Sequence, residues 1–208
     1  MKRLILFLLL IPALCFGDMN PYIAGRTVSS GWAGFSDNFN RTDGALGANW
    51  SVTYGGVLID TNIVHYTTKS ASNSAVAVLA TNPTLSSGMI EGDVNEEGSS
   101  YRRPGLVFWY TDTANYWFAT IYGSGSENIQ LIQVSSNTPT VIDSATFSIN
   151  LVTTYDLRVV FADDGVDIYL DDTLRVEDTT ARSNSGNIGI GFMGSSEQGW
   201  IDNFNATD

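Results

Sequence analysis

Cysteine is almost missing. The chain has 208 residues and one cysteine, Cys15, near its start. Beyond that point a disulfide framework or a cysteine-based metal site is excluded. Histidine occurs once, as His65, so a zinc site or a Ser-His-Asp triad would have to be built on that residue. Its setting, Val64-His65-Tyr66, reads as ordinary strand. Basic charge is also scarce, with 10 Lys and Arg against 22 Asp and Glu, a net charge of −12. Without Lys2 and Arg3 the balance is 8 against 22, or −14, and Lys69 is the sole lysine left. Nucleic acids and other polyanions need clustered Lys and Arg, so they are poor partners. Cations and neutral sugars are compatible with this charge. The sequence shows no glycine-rich phosphate loop and no convincing amphipathic helix.

The first residues, MKRLILFLLLIPALCFG, have the composition of a secretory leader. Lys2 and Arg3 form a positive start, Leu4 to Phe16 is apolar, and Cys15 and Gly17 are small residues at −3 and −1 of a cleavage site. The apolar run is shorter than the roughly 20 residues a membrane span needs. The expected boundaries are a signal peptide over 1–17, a linker over 18–34 and one domain over 35–208. No later run reaches membrane length, so no membrane insertion is expected after cleavage. The mature protein is expected to be secreted, extracellular or periplasmic.

From Phe35 onward the sequence is short β-branched and aromatic runs separated by Gly, Asn, Asp and Ser. The clearest are LVFWY (106–110), YWFATIY (116–122), IQLIQV (129–134), YDLRVVF (155–161) and VDIYL (166–170). Alternation puts Leu157, Val159 and Phe161 on one face and Arg158 and Val160 on the other. Asp163-Asp164-Gly165 reads as a hairpin connection, with Gly165 able to take positive φ. Many short strands with regular turns predict an all-β, antiparallel two-sheet β-sandwich or jelly roll.

The order of segments resembles the concanavalin A-like, laminin-G-like jelly-roll family. It runs DNFNRTDGALGANW, MIEGDV, PGLVFWYTDTANYWFATIY, IQLIQV, YDLRVVFADDGVDIYLDDTLRVEDT and GNIGIGFMGSSEQGWIDNFN. The family includes secreted carbohydrate-binding modules and adhesive surface proteins, and also lectins and glycosidases. The chain departs from it at Asp171-Asp172, where Asp-Gly is usual, which predicts a turn that is looser or of another type. It departs again at Trp109, where the family often has Arg. In such jelly rolls the first and last strands are antiparallel neighbours. This accounts for DNFN occurring at both ends, with Phe39 and Phe204 in adjacent core positions and Asp37 near Asp202. Strict alternation would put Trp200, Asp202 and Phe204 on one face, so either a bulge breaks it or Asp202 points inward.

Three sets of residues could carry chemistry. Asp37 and Asp202 repel unless neutralised, and with Asn40 they form a candidate structural Ca²⁺ site. Glu91, Asp93 and Glu96 fit E-x-D-x-x-E, similar to the catalytic strand of laminarinase-type glycoside hydrolases, but Glu96 can join the others only across a bulge. Trp109 and Trp117, with Tyr101, Arg102 and Arg103, form a candidate sugar platform, since exposed indoles stack on sugar rings and polar neighbours orient hydroxyls. The alternative fate of both tryptophans is burial between sheet and loops. Asn40, Asn49 and Asn205 begin glycosylation sequons. The expected function is non-catalytic binding of a glycan or cell-surface polysaccharide, in a lectin-like or adhesion role. Two alternatives are a glycoside hydrolase using Glu91, Asp93 and Glu96, and a self-associating structural subunit of a surface layer or appendage.

Overall fold

Positive φ at both residues of a two-residue turn gives the type I′ geometry that suits twisted hairpins, and this chain uses it repeatedly. In the structure, a computed structural model describing residues 32–68, 74–81, 83–97, 102–123, 128–194 and 199–208, Thr61-Asn62, Ser136-Asn137 and Asp171-Asp172 all have φ between 49° and 67°. Asp171-Asp172 is therefore not a loose turn. Leu170 pairs directly with Thr173 across it, because Asp tolerates the left-handed region better than most residues. Gly165 takes φ 144° as expected.

The described residues form fifteen strands and no helix. The first sheet contains β1 (Phe35–Asp37), β3 (Gly56–Asp60), β4 (Ile63–Thr68), β6 (Gly88–Asn95), β11 (Tyr155–Ala162), β12 (Gly165–Leu170), β13 (Thr173–Asp178) and β15 (Trp200–Thr207). Its order is β13-β12-β11-β6-β15-β4-β3, with β1 also paired to β15. The second contains β2 (Trp50–Tyr54), β5 (Ser74–Leu79), β7 (Arg102–Asp112), β8 (Asn115–Tyr122), β9 (Asn128–Ser135), β10 (Thr138–Thr146) and β14 (Asn187–Gly194), ordered β10-β9-β8-β7-β14-β5-β2. Every pairing is antiparallel. This is the expected two-sheet jelly-roll sandwich. The alternation read from β11 and β12 holds, with Leu157, Val159, Phe161, Val166, Ile168 and Leu170 all in the core between the sheets. The leader and nearly all of the linker lie outside the described residues.

The two ends of the domain are joined as the sequence implied. Phe35 pairs with Ala206 and Asp37 with Phe204. Phe39 and Phe204 are both buried, and both pack on Trp50, at ring-centroid distances of 5.5 and 5.2 Å. The two DNFN copies reach this core by different routes. In the first, Phe39 itself is left-handed (φ 49°) and its N–H bonds Asp37 Oδ1. In the second, Asn203 is left-handed (φ 50°), within a bulge between Asp202 and Asn205 that breaks the alternation of β15. That bulge turns Phe204 inward and leaves Asp202 half-buried on the outer side. Truncating Phe204 to Ala leaves a cavity against Trp50, and we expect it to cost about 3–5 kcal/mol. Urea unfolding measures this; a loss below about 1 kcal/mol would contradict the packing described.

Candidate functional site

The fate of Trp109 is decided by one backbone feature. Between Val107, paired with Gly189, and Tyr110, paired with Asn187, β7 has one more residue than β14. Trp109 takes φ 47° within this bulge, an uncommon conformation for a bulky residue. Gly186, the residue just before β14, allows it: a Cβ there would stand 2.5 Å from the Trp109 carbonyl carbon. The bulge cancels the alternation that would have turned Trp109 away from Phe108. Both side chains face inward, 5.2 Å apart. Trp109 meets Trp117 edge to face at 5.6 Å and Phe161 at 5.5 Å, and its Nε1 donates to the Ser86 carbonyl. The Arg182 guanidinium covers a face of Trp117 at 4.7 Å and pairs with Asp178. With 2% and 5% exposure, neither indole offers a face to stack on, so the exposed platform expected on Trp109 and Trp117 is corrected.

The other residues expected beside them lie elsewhere. Tyr101 is outside the described residues, and Arg102 opens β7. Arg103 is six residues from Trp109, about 20 Å along a strand. Its guanidinium stacks on Tyr122 at 4.1 Å and donates to Gln130 Oε1. This belongs to the outer face of the second sheet, which carries its own apolar cluster of Val76, Val78, Val107, Tyr116, Phe118, Ile132 and Val134, with Tyr54, Tyr110 and Met193 packed on it. The Phe118 ring lies over Gly191, where a Cβ would come within 3.2 Å of it. The Tyr116 side chain hydrogen-bonds Ser74, although β8 and β5 are three strand spacings apart, about 14 Å in a flat sheet. The sheet therefore curls over this face. Burial pushes the Tyr116 phenol up to about 12, opposed by the bond with Ser74. Beside Tyr116 a recess of about 40 Å³ remains, lined by Ser74, Thr113, Val134, Asn137, Pro139 and Met193.

Carboxylates gather on the outer face of the first sheet. Asp156, Asp93 and Asp202 are in register across β11, β6 and β15, and Arg158, Glu91 and Asn205 form the adjoining row. Arg158 bonds Asp172 at 2.7 Å, stands 3.9 Å from Glu91 and stacks on Tyr169. Asn203 Nδ2 donates to Asp93. Burial, then the charge of Glu91, pushes the Asp156 carboxyl up to about 6, against the pull of Arg158. Burial also raises Glu91. Glu96 does not join this face. It is turned inward, 1% exposed, and accepts the N–H of Gly123 at the end of β8. The expected E-x-D-x-x-E constellation is therefore split between two faces, whereas retaining hydrolysis needs its two carboxyls about 5–5.5 Å apart.

The proposed cation site is corrected too. Both oxygens of Asp37 are committed: Arg41 bonds each of them, at 2.7 and 2.8 Å, Trp50 Nε1 donates to one and the Phe39 N–H to the other. Burial pushes Asp37 up, but these bonds and the Arg41 charge outweigh it and hold the carboxyl below its usual range. Arg41 supplies the positive charge that was assigned to Ca²⁺. Asp202 is near enough for Asp37 to help raise it, after burial, against the Asn203 N–H, and with Asp93. Asn40 is exposed. Among the described residues no group of three or more His, Cys, Asp or Glu is placed to hold a metal ion.

One recess has a rim with no counterpart among the residues that the sequence singles out. At the end of the sandwich formed by the turns after β7 and β9, a hollow of about 120 Å³ opens beside Trp109 and Trp117. Its rim is Thr111, Asn115, Gln133, Ser135, Asn184 and Ser185, and its lining contains no charged side chain. Nothing local in the sequence distinguishes these polar residues; three separate segments bring them together.

No protein-family model matches the chain, and no curated protein matches it by sequence. Solved structures do match in shape. The carbohydrate-binding module CBM66 from Bacillus subtilis superposes with a TM-score of 0.67 at 15% identity, over 77% of this chain and 96% of that one. A β-glucanase from Bacillus licheniformis gives 0.60 at 11%, over 85% and 98%. The VIP36 exoplasmic/lumenal domain in its Ca²⁺/Man-bound form gives 0.57 at 12%, over 76% and 82%. The chain thus has the jelly-roll sandwich fold that a carbohydrate-binding module, a lumenal domain solved with an ion, and a glucanase also have.

The raised Asp156 predicts a measurable pH effect. A carboxyl whose folded value exceeds its ordinary one stabilises the fold least once ionised, so its contribution falls as pH rises from about 4 to about 6. Asp156→Asn should therefore melt higher than the parent at pH 7 and equally at pH 4. A difference that is the same at both pH values would contradict the assignment.

Proposed function

We propose that this chain is an exported, non-catalytic glycan-binding module, acting at a cell surface or in extracellular matrix. The observation that carries the non-catalytic half is Glu96: the residue needed to complete a hydrolase-like carboxylate set faces the opposite side of β6 from Glu91 and Asp93. The curled face of the second sheet supports the same reading, since Tyr54, Tyr116 and Met193 pack over its floor. The sugar-binding half is supported by the shared fold of CBM66 and the VIP36 domain, by a charge that disfavours polyanions, and by a recess lined with indole and neutral hydrogen-bonding groups. The leader supports export.

The test uses immobilised neutral polysaccharides and soluble reducing-sugar assays. The protein should be retained on at least one polysaccharide and release no reducing ends from it, and Glu91→Gln should leave retention unchanged. Retention by none, or sugar release abolished in Glu91→Gln, would overturn the proposal.

A further inference from the structure

We infer that the recess beside Trp109 and Trp117 is the sugar-binding site, and that it takes one neutral sugar ring at the end of a glycan. This rests on the glycan-binding reading and adds to it the location and the part of the ligand recognised. The recess is built from well-separated segments. Thr111 and Asn115 flank the turn between β7 and β8, Gln133 and Ser135 close β9, and Asn184 and Ser185 precede β14. Thr111 and Asn115 already bond within the turns, through the Asn115 carbonyl, Asp112 and the Ser136 N–H. The side chains of Gln133, Ser135, Asn184 and Ser185 make no hydrogen bond among the described residues. They supply donors and acceptors suited to hydroxyls, in a hollow that Trp109 and Trp117 also line.

The chemistry of the walls narrows the ligand. No charged group lines the hollow. Arg182, whose guanidinium lies on Trp117, is paired with Asp178. An acidic or phosphorylated sugar would find no counter-charge, so the ligand is neutral. Size narrows it further. A volume of about 120 Å³ is well under the roughly 300–1,000 Å³ of a pocket for a drug-sized ligand. It holds a single ring, and the rest of the chain must leave through the mouth.

Calorimetric titration of the whole chain tests this, with glucose, galactose, mannose, fructose and N-acetylglucosamine and a tetrasaccharide of each. At least one sugar should bind, with its tetrasaccharide within about threefold of the monosaccharide. Gln133→Ala and Asn184→Ala should each weaken it about tenfold without changing the melting temperature. Glycan binding that both variants retain in full, or that rises more than tenfold from one ring to four, overturns the inference and leaves the glycan reading standing. Parent protein that binds no sugar of the panel, and is retained on no polysaccharide, overturns both.

Discussion

The left-handed backbone at Trp109 is the constraint on which the interior of the sandwich turns. A bulky residue in that region costs about 1–3 kcal/mol. Burying an indole of roughly 150–250 Å² at about 25 cal/mol per Å² returns about 4–6 kcal/mol as an upper bound, so the bulge is favourable overall. Through it Phe108, Trp109, Trp117 and Phe161 become one aromatic block joining β7 and β8 to β11. Trp109 and Trp117 also line the recess at the end of the sandwich. Gly186 is the concession made by the adjacent segment, because any side chain there would collide with the bulged backbone. Phe39 repeats the device at the other join, with Asp37 accepting the displaced N–H.

The charge of the molecule is managed locally. Asp37 is matched by Arg41, Asp178 by Arg182, and Asp172 by Arg158. Part of the remaining acidic excess lies on the outer face of the first sheet, where Asp93, Asp156 and Asp202 run side by side and burial and mutual repulsion favour the protonated form of Asp156. None of these carboxylates lines the recess beside Trp109 and Trp117. The indole-walled recess is thereby left uncharged in a strongly acidic protein, the condition a neutral ligand requires.

Period-two patterning was enough to read the strands, since each half-buried strand repeats its own environment, and β11 and β12 show it residue by residue. The pairing of the two ends was legible for a different reason: two copies of DNFN can share one core only if they are neighbours. The site was harder to read because each part of it depends on an irregularity. Alternation cannot register an inserted residue, so Trp109 was assigned to the wrong face and Glu96 was left able to join Glu91. Charge counting could pair Asp37 with Asp202, but it could not see that Arg41, four residues along, would reach both oxygens of Asp37 first. Gln133 and Asn184 carry no local signal, since they meet only when three segments converge.

A crystal structure determined with a neutral monosaccharide bound tests the central claim most directly. The account predicts the sugar ring against Trp109 and Trp117, its hydroxyls bonded to Gln133 and Asn184. A sugar seated instead on the carboxylate face of the first sheet, or over Tyr116 on the curled face of the second, would contradict it.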